Sequence, residues 1–198
     1  MAIVVALAGS PSAKSRSSGL LKRGIELLVE SGVTVQQFSL TDFVAEDLIY
    51  GRFDSPAVQA FNNAVKHADG LLIASPVYKA AYSGGLKTLI DLLPEHGLAG
   101  KVALNLATGG SAAFTLSLDH ALLPVLNSLK IKFQVGGVFA TDRDVAWQVD
   151  GSFHVAPDTE ERLRLAINSF VSYLPHPLSA ELAPGRLVEQ IRQGRISV

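Results

Sequence analysis

Cysteine is absent from this chain of 198 residues, and that omission removes disulfides, thiolate metal ligands, thiol nucleophiles and cysteine redox chemistry together. A redox role therefore requires a borrowed cofactor. A dominant charge is lacking too. The 17 Lys and Arg against 18 Asp and Glu leave a formal charge of −1, which offers no electrostatic reason to expect nucleic acid or an anionic membrane surface as partner. Small molecules and other proteins are the expected partners. Residues 102–118 carry no charge, yet Asn105, Thr108, Gly109, Gly110 and Ser111 make them too polar and glycine-broken for a membrane span. No basic flank or leader-like apolar stretch follows Met1, so the expectation is a soluble, cytoplasmic protein. Two common phosphate loops are missing as well. Only Gly9 is available for a GxGxxG turn, and the window AGSPSAKS has Ala8 and Ala13 where a Walker A loop needs glycine. No GxSxG elbow or recognisable metal spacing occurs.

What is present is a 48% hydrophobic, 18% charged composition, suited to one ordinary globular domain with a substantial core. Short β-branched runs alternate with stretches of helical period, the pattern of a parallel sheet with crossover helices. Strands are expected at 3–8, 33–38, 71–75, 102–107 and 133–139, and helices near 17–31, 55–68, 84–94, 112–130 and 157–173. The strands starting at 3, 71 and 102 read as nearly continuous apolar runs, as strands covered on both faces do, whereas 33–38 mixes polar and apolar residues like an edge. The fold class is α/β: a three-layer, flavodoxin-like, doubly wound five-stranded parallel sheet of order 2-1-3-4-5 over residues 1–175, with a proline-punctuated tail at 176–198.

Ligands of open α/β sheets bind outside the carboxyl ends of the strands, so the loops after strands 1, 3 and 4 are where chemistry is expected. The first, GSPSAKSRSSG, can aim helix-start amides, the hydroxyls of Ser10, Ser12, Ser15 and Ser17 and the guanidinium of Arg16 at one anion. Alternatively, Ser17 or Ser18 caps the helix and the other serines solvate a turn. The second loop sets Pro76, Val77, Tyr78 and Lys79 after strand 3, then Ser83. Its tyrosine and stiffened backbone suit a flat aromatic ligand, or else a subunit contact. The third offers Thr108, Gly109, Gly110 and Ser111, small enough for close backbone approach.

With GSPSAKSRSSGLL, EDLIYGRFDSPAVQAF, ADGLLIASPVYKAAYSGGLKTLIDLLPE, GKVALNLATGGS and DHALLPVLNSLK in view, residues 1 to about 170 resemble the flavodoxin-like NAD(P)H-dependent FMN reductases. The resemblance is strongest to the reductase components of two-component alkanesulfonate monooxygenases. It implies FMN and NAD(P)H as cofactors and a partner FMN-dependent monooxygenase. It also implies a homodimer or homotetramer. On that resemblance Ser10, Ser12, Ser15, Arg16 and Ser17 hold the flavin phosphate, and Pro76, Val77, Tyr78, Lys79 and Ser83 line the ring and ribityl chain. Gly109, Gly110 and Ser111 meet the ring's other edge, and no side chain has an obligatory acid or base role. An FMN-holding electron carrier and a quinone or azo-compound reductase remain alternatives on the same scaffold.

Pro124 lies inside an apolar helical run and has no N–H for the carbonyl of His120. Proline physics favours a plain kink there, while the resemblance implies a π-turn carrying an aromatic residue near the flavin and a subunit interface. His120 occupies that position and is expected, with Pro124, to affect flavin retention. His67, His96, His154 and His176 read as surface residues, Asp142 and Asp144 as closing a turn or lining the cleft rim, and Trp147 as a lid or interface anchor.

Overall fold

A computed structural model of the chain describes residues 1–116 and 118–175. Strands β1 (Ile3–Ala8), β2 (Thr34–Ser39), β3 (Gly70–Tyr78), the short β4 (Ala81–Tyr82), β5 (Val102–Gly109) and β6 (Phe133–Thr141) precede a separate hairpin, β7 (Val145–Trp147) and β8 (Phe153–Val155). The long strands pair in parallel in the order β2-β1-β3-β5-β6. Counting only these parallel strands, this is the expected 2-1-3-4-5.

The order follows from burial. β5 is buried at every residue and β1 at all but its first, so both belong inside the sheet, whereas the partly polar β2 stays half exposed at the edge. Alternate residues of β1 feed opposite layers. Val4 and Ala6 pack with Leu20 and Leu28 of α1 (Arg16–Glu30) and Ile167 and Phe170 of α6 (Pro157–Tyr173). Val5 and Leu7 join Val58 and Phe61 of α3 (Pro56–His67) and Leu86 and Leu89 of α4 (Gly84–Ile90). Phe61 sits edge-on to Phe38 and Phe43, with centroids 5.3 and 5.8 Å away.

Several elements depart from the sequence reading. The helix expected over 112–130 is broken: a 3₁₀ turn at Ala112–Phe114, a π-turn at Leu118–Leu122, then α5 (Leu123–Ser128). The defect is thus a π-turn and not a plain kink. Pro124 consequently falls in the first turn of α5, where its missing N–H costs nothing. The helix expected to reach 94 ends at Ile90, because the residue before Pro94 is driven out of the helical region and the preceding residues form turns. A short α2 (Ala45–Tyr50), closed by Gly51 at φ 62°, was not anticipated. The expected tail at 176–198 and His176 lie outside the described residues.

Arg23 of α1 ties the outer layer together. Its Nη2 donates to Glu160 Oε1 at 2.7 Å and its Nε to Oε2 at 3.1 Å, while Arg164 Nε lies 2.8 Å from the same carboxylate. These contacts, Arg23 foremost, hold the Glu160 carboxyl below its ordinary value of 4.5. A depressed folded-state value means stability that is present above the unfolded value and lost as pH falls through the folded one. Glu160→Gln is therefore expected to cost about 1 kcal/mol at pH 7. The difference should shrink toward pH 3 when urea midpoints of the two proteins are compared. A gap that stays constant with pH would exclude the ion pair as its cause.

Candidate functional site

At the carboxyl edge of the sheet three loops enclose a cleft of about 510 Å³. Lys14, Ser15 and Arg16 come from the loop after β1, Pro76, Val77 and Tyr78 from the end of β3, and Thr108, Gly109 and Gly110 from the end of β5. Eight of the residues expected from the sequence thus meet in one place.

The loop after β1 is built by its own serines. Ser15 is the N-cap of α1: its hydroxyl accepts from the Ser18 N–H at 3.0 Å and lies 3.0 Å from Ser17 Oγ. The cap is therefore neither Ser17 nor Ser18. Ser10 is buried and its hydroxyl accepts from the Ser12 N–H, while the Ser12 carbonyl accepts from the Ser15 N–H and the Ser18 hydroxyl. Ser10, Ser12 and Ser17 thus shape the loop and do not line the cleft; Ser10 faces a neighbouring 190 Å³ hollow. The first turn of α1 contains no acidic residue. Ser18 and Gly19 have acceptors at Ser15, leaving the Arg16 and Ser17 amides without an intrahelical partner beside the Arg16 guanidinium.

Ser83 departs most from its expected role. It is buried, caps α4 by accepting from the Leu86 N–H at 3.0 Å, and donates its hydroxyl hydrogen to the Gly9 carbonyl. Its own N–H donates to Ser75 Oγ at 2.9 Å. It fastens the first loop to the second from beneath instead of facing a ribityl chain. Between β3 and β4 the chain reverses through Lys79 and Ala80 at φ 51° and 63°. A two-residue hairpin of this kind needs positive φ at both centres, a conformation that L residues resist. It leaves Lys79 exposed outside the cleft lining and Tyr78 at the cleft with half its surface exposed. Gly109 sits in a tight place, since a Cβ there would lie 3.1 Å from Phe139 and 3.4 Å from Val77 and the Phe139 ring would have to give slightly. Ser111 is exposed, outside the lining, and caps the following 3₁₀ turn through the Ala113 N–H.

A fourth wall comes from a hairpin that the sequence does not show, although Trp147 reads there as a lid or interface anchor. The β7–β8 hairpin lays Trp147 and Ala146 along the cleft, and Trp147 Nε1 donates to the Ser15 carbonyl at 3.0 Å. Phe153 stands edge-on to Trp147 at 5.0 Å and fills the space that Gly19 leaves open on α1, where a Cβ would come within 2.3 Å of its ring. The available signals were the glycine inside a helix and the single tryptophan following strand 133–139. The two aspartates divide their roles. Asp144 closes a turn by accepting from the Thr141 N–H at 2.7 Å and hydroxyl at 2.8 Å, bonds that hold its carboxyl below the usual range. Asp142 lines the cleft, 3.5 Å from Arg16 Nη1. His120 and Pro124 lie exposed on the outer face of the π-turn segment and α5, and His67, His96 and His154 are exposed too. Among the described residues, no group of three or more His, Asp or Glu is placed to hold a metal ion, and no helix is long and apolar enough to cross a membrane.

The cleft brings the cationic side chains of Lys14 and Arg16 together with the flat faces of Tyr78 and Trp147. Its volume suits a small molecule, and its chemistry suits one with an anionic group on a planar ring system.

A doubly wound parallel sheet with its cleft between the loops after β1, β3 and β5 defines a flavodoxin-like α/β protein. The chain belongs to the NADPH-dependent FMN reductase family, whose model matches residues 2–146, an enzyme class that reduces FMN with NAD(P)H. It is 46% identical to an FMN reductase (NADPH) of Pseudomonas putida, over 99% of this chain and 100% of that protein. It is 49% identical to an FMN reductase (NADPH) of Escherichia coli K12, over 84% of this chain and 87% of that one. The crystal structure of an NADH:FMN oxidoreductase (EMOB) in its apo form superposes with a TM-score of 0.80 at 34% identity, covering 89% of this chain and 92% of that one.

Proposed function

We propose that this chain binds FMN in the 510 Å³ cleft, reduces it with NADH or NADPH, and hands reduced flavin to a partner monooxygenase that desulfonates organosulfonates. The observation that carries the reading is the pairing, in one cleft, of a cationic helix start at Arg16 with flat walls at Tyr78 and Trp147. Ser15, Arg16 and the amides of Arg16 and Ser17 bind the phosphate. Pro76, Val77 and Tyr78 support one side of the ring, and the Thr108–Gly110 backbone approaches its edge. FMN, when bound, supplies the hydride-accepting chemistry, and among the described residues no histidine or glutamate lines the cleft to act as an obligatory acid or base. What the protein contributes is orientation, an anion anchor and an open side for the nicotinamide. The sulfonate setting rests on the motif resemblance, as do a homodimer or homotetramer and a role for the exposed π-turn residue His120 in flavin retention.

The test is steady-state oxidation of NADH and of NADPH by flavin-stripped protein, wild type and His120→Ala, with added FMN, riboflavin or FAD. Turnover that saturates with FMN is expected and ranks the two nicotinamides. Tight FMN binding without turnover would make the chain an electron carrier, and faster turnover of a quinone than of FMN would make it a quinone reductase. An unchanged FMN affinity in His120→Ala would remove that residue from flavin retention.

A further inference from the structure

Among the described residues, Asp142 is the only acidic residue lining a cleft whose expected ligand is an anion. Its Oδ1 lies 3.5 Å from Arg16 Nη1, with both side chains about half exposed. The placement is built. The Asp142 N–H donates to the Gly109 carbonyl at 3.2 Å, so the third loop of the cleft itself carries the backbone that delivers this carboxylate. Asp144, two residues on, is committed to Thr141, whereas the contact recorded for the Asp142 carboxylate is Arg16.

A half-exposed pair at this separation adds almost nothing to stability, so the fold does not explain it. A phosphate does. The guanidinium that Asp142 faces is the same group that an incoming phosphate must engage, and a carboxylate beside a phosphate dianion repels it. Resting on the FMN reading above, we propose that Asp142 is an affinity-setting competitor for the flavin phosphate. It competes with the phosphate for Arg16 and repels the bound phosphate, and so keeps FMN exchangeable. A protein that passes its flavin to another needs dissociation on the timescale of turnover, and a negative charge beside the anchor shortens residence without altering the ring pocket.

The experiment measures FMN and riboflavin affinity for wild type, Asp142→Asn and Asp142→Glu, from quenching of Trp147, the chain's one tryptophan, which lines the cleft. Asp142→Asn keeps volume and backbone while removing the charge. It is expected to lower the FMN Kd roughly 5- to 30-fold, the size of effect one like charge has a few ångströms from an anion in a partly solvated site. Riboflavin, which lacks the phosphate, should bind unchanged, and the FMN gain should shrink at high salt. Asp142→Glu retains the charge and should stay near wild type. Asp142→Ser repeats the charge removal in a different shape. An FMN affinity that does not rise in Asp142→Asn or Asp142→Ser, or that rises equally for riboflavin, overturns the inference while leaving the FMN reading intact. Wild-type protein that binds no FMN at all ends that reading, and the inference with it.

Discussion

Arg16→Ala is expected to weaken FMN binding by roughly 10- to 100-fold and to leave riboflavin binding nearly unchanged, because a charge-assisted hydrogen bond to phosphate is worth about 1.5–3 kcal/mol. The guanidinium lines the cleft with Lys14 and Ser15. Its recorded ion-pair partner is Asp142, in a half-exposed contact. Removing it therefore costs the fold little, and the thermal midpoint should barely move. The two flavins differ only in the phosphate, so their ratio isolates the group on which Arg16 acts. Equal losses for FMN and riboflavin would place Arg16 against the ring or in the scaffold, and the phosphate assignment would fall. The sign is opposite to that expected of Asp142→Asn, which gives the anchor and its competitor separate signatures in one titration.

Ser83→Ala is the second large effect, and it tests how the fold supports the cleft. The hydroxyl caps α4 through the Leu86 N–H and donates to the Gly9 carbonyl, with the residue buried. Losing an N-cap costs about 0.5–2 kcal/mol and orphaning a buried acceptor about 1–3 kcal/mol, so a combined loss of about 2–4 kcal/mol is expected. In a protein of this size that corresponds to a fall in Tm on the order of 5–10 °C. Gly9 has little room to adjust, since its N–H donates to the Ala74 carbonyl at 2.7 Å and a Cβ there would meet that oxygen at 2.9 Å. The loosened loop should also bind FMN several-fold more weakly, at temperatures where the variant is still folded. A variant with lowered Tm and native FMN affinity would show that the Ser83–Gly9 bond stabilises the fold without ordering the loop after β1.

The parallel strands were legible because each carries its information locally. The nearly continuous apolar runs at 3–8 and 102–107 fit a doubly covered strand, and the structure buries them in that way. Ser15, Arg16, Tyr78 and Gly109 could be placed at the cleft because the carboxyl ends of such strands are where ligands bind, whatever the details of packing. Serines could not be sorted in the same way. Ser10, Ser12, Ser15 and Ser17 look alike in sequence, yet one caps a helix, one is a buried acceptor and one hydroxyl leans on another, and those outcomes depend on loop geometry. Lys79 and Ala80 gave no turn signal, because neither is the glycine or asparagine that positive φ usually recruits.

By itself, then, the order of residues determined the α/β class, the strand order, the absence of thiol chemistry and the edge of the sheet where a ligand meets the protein. These follow from local periodicity and residue type. Tertiary structure alone decided that Trp147 closes the cleft over Ser15, that Asp142 faces Arg16 from 126 positions away in the chain, and that Ser83 works beneath the site and not inside it. The physical reason is that hydrogen bonds and ion pairs of this kind depend on separations of a few ångströms between segments far apart in sequence. Such separations are set by how the layers pack, and no pattern within a single segment encodes them.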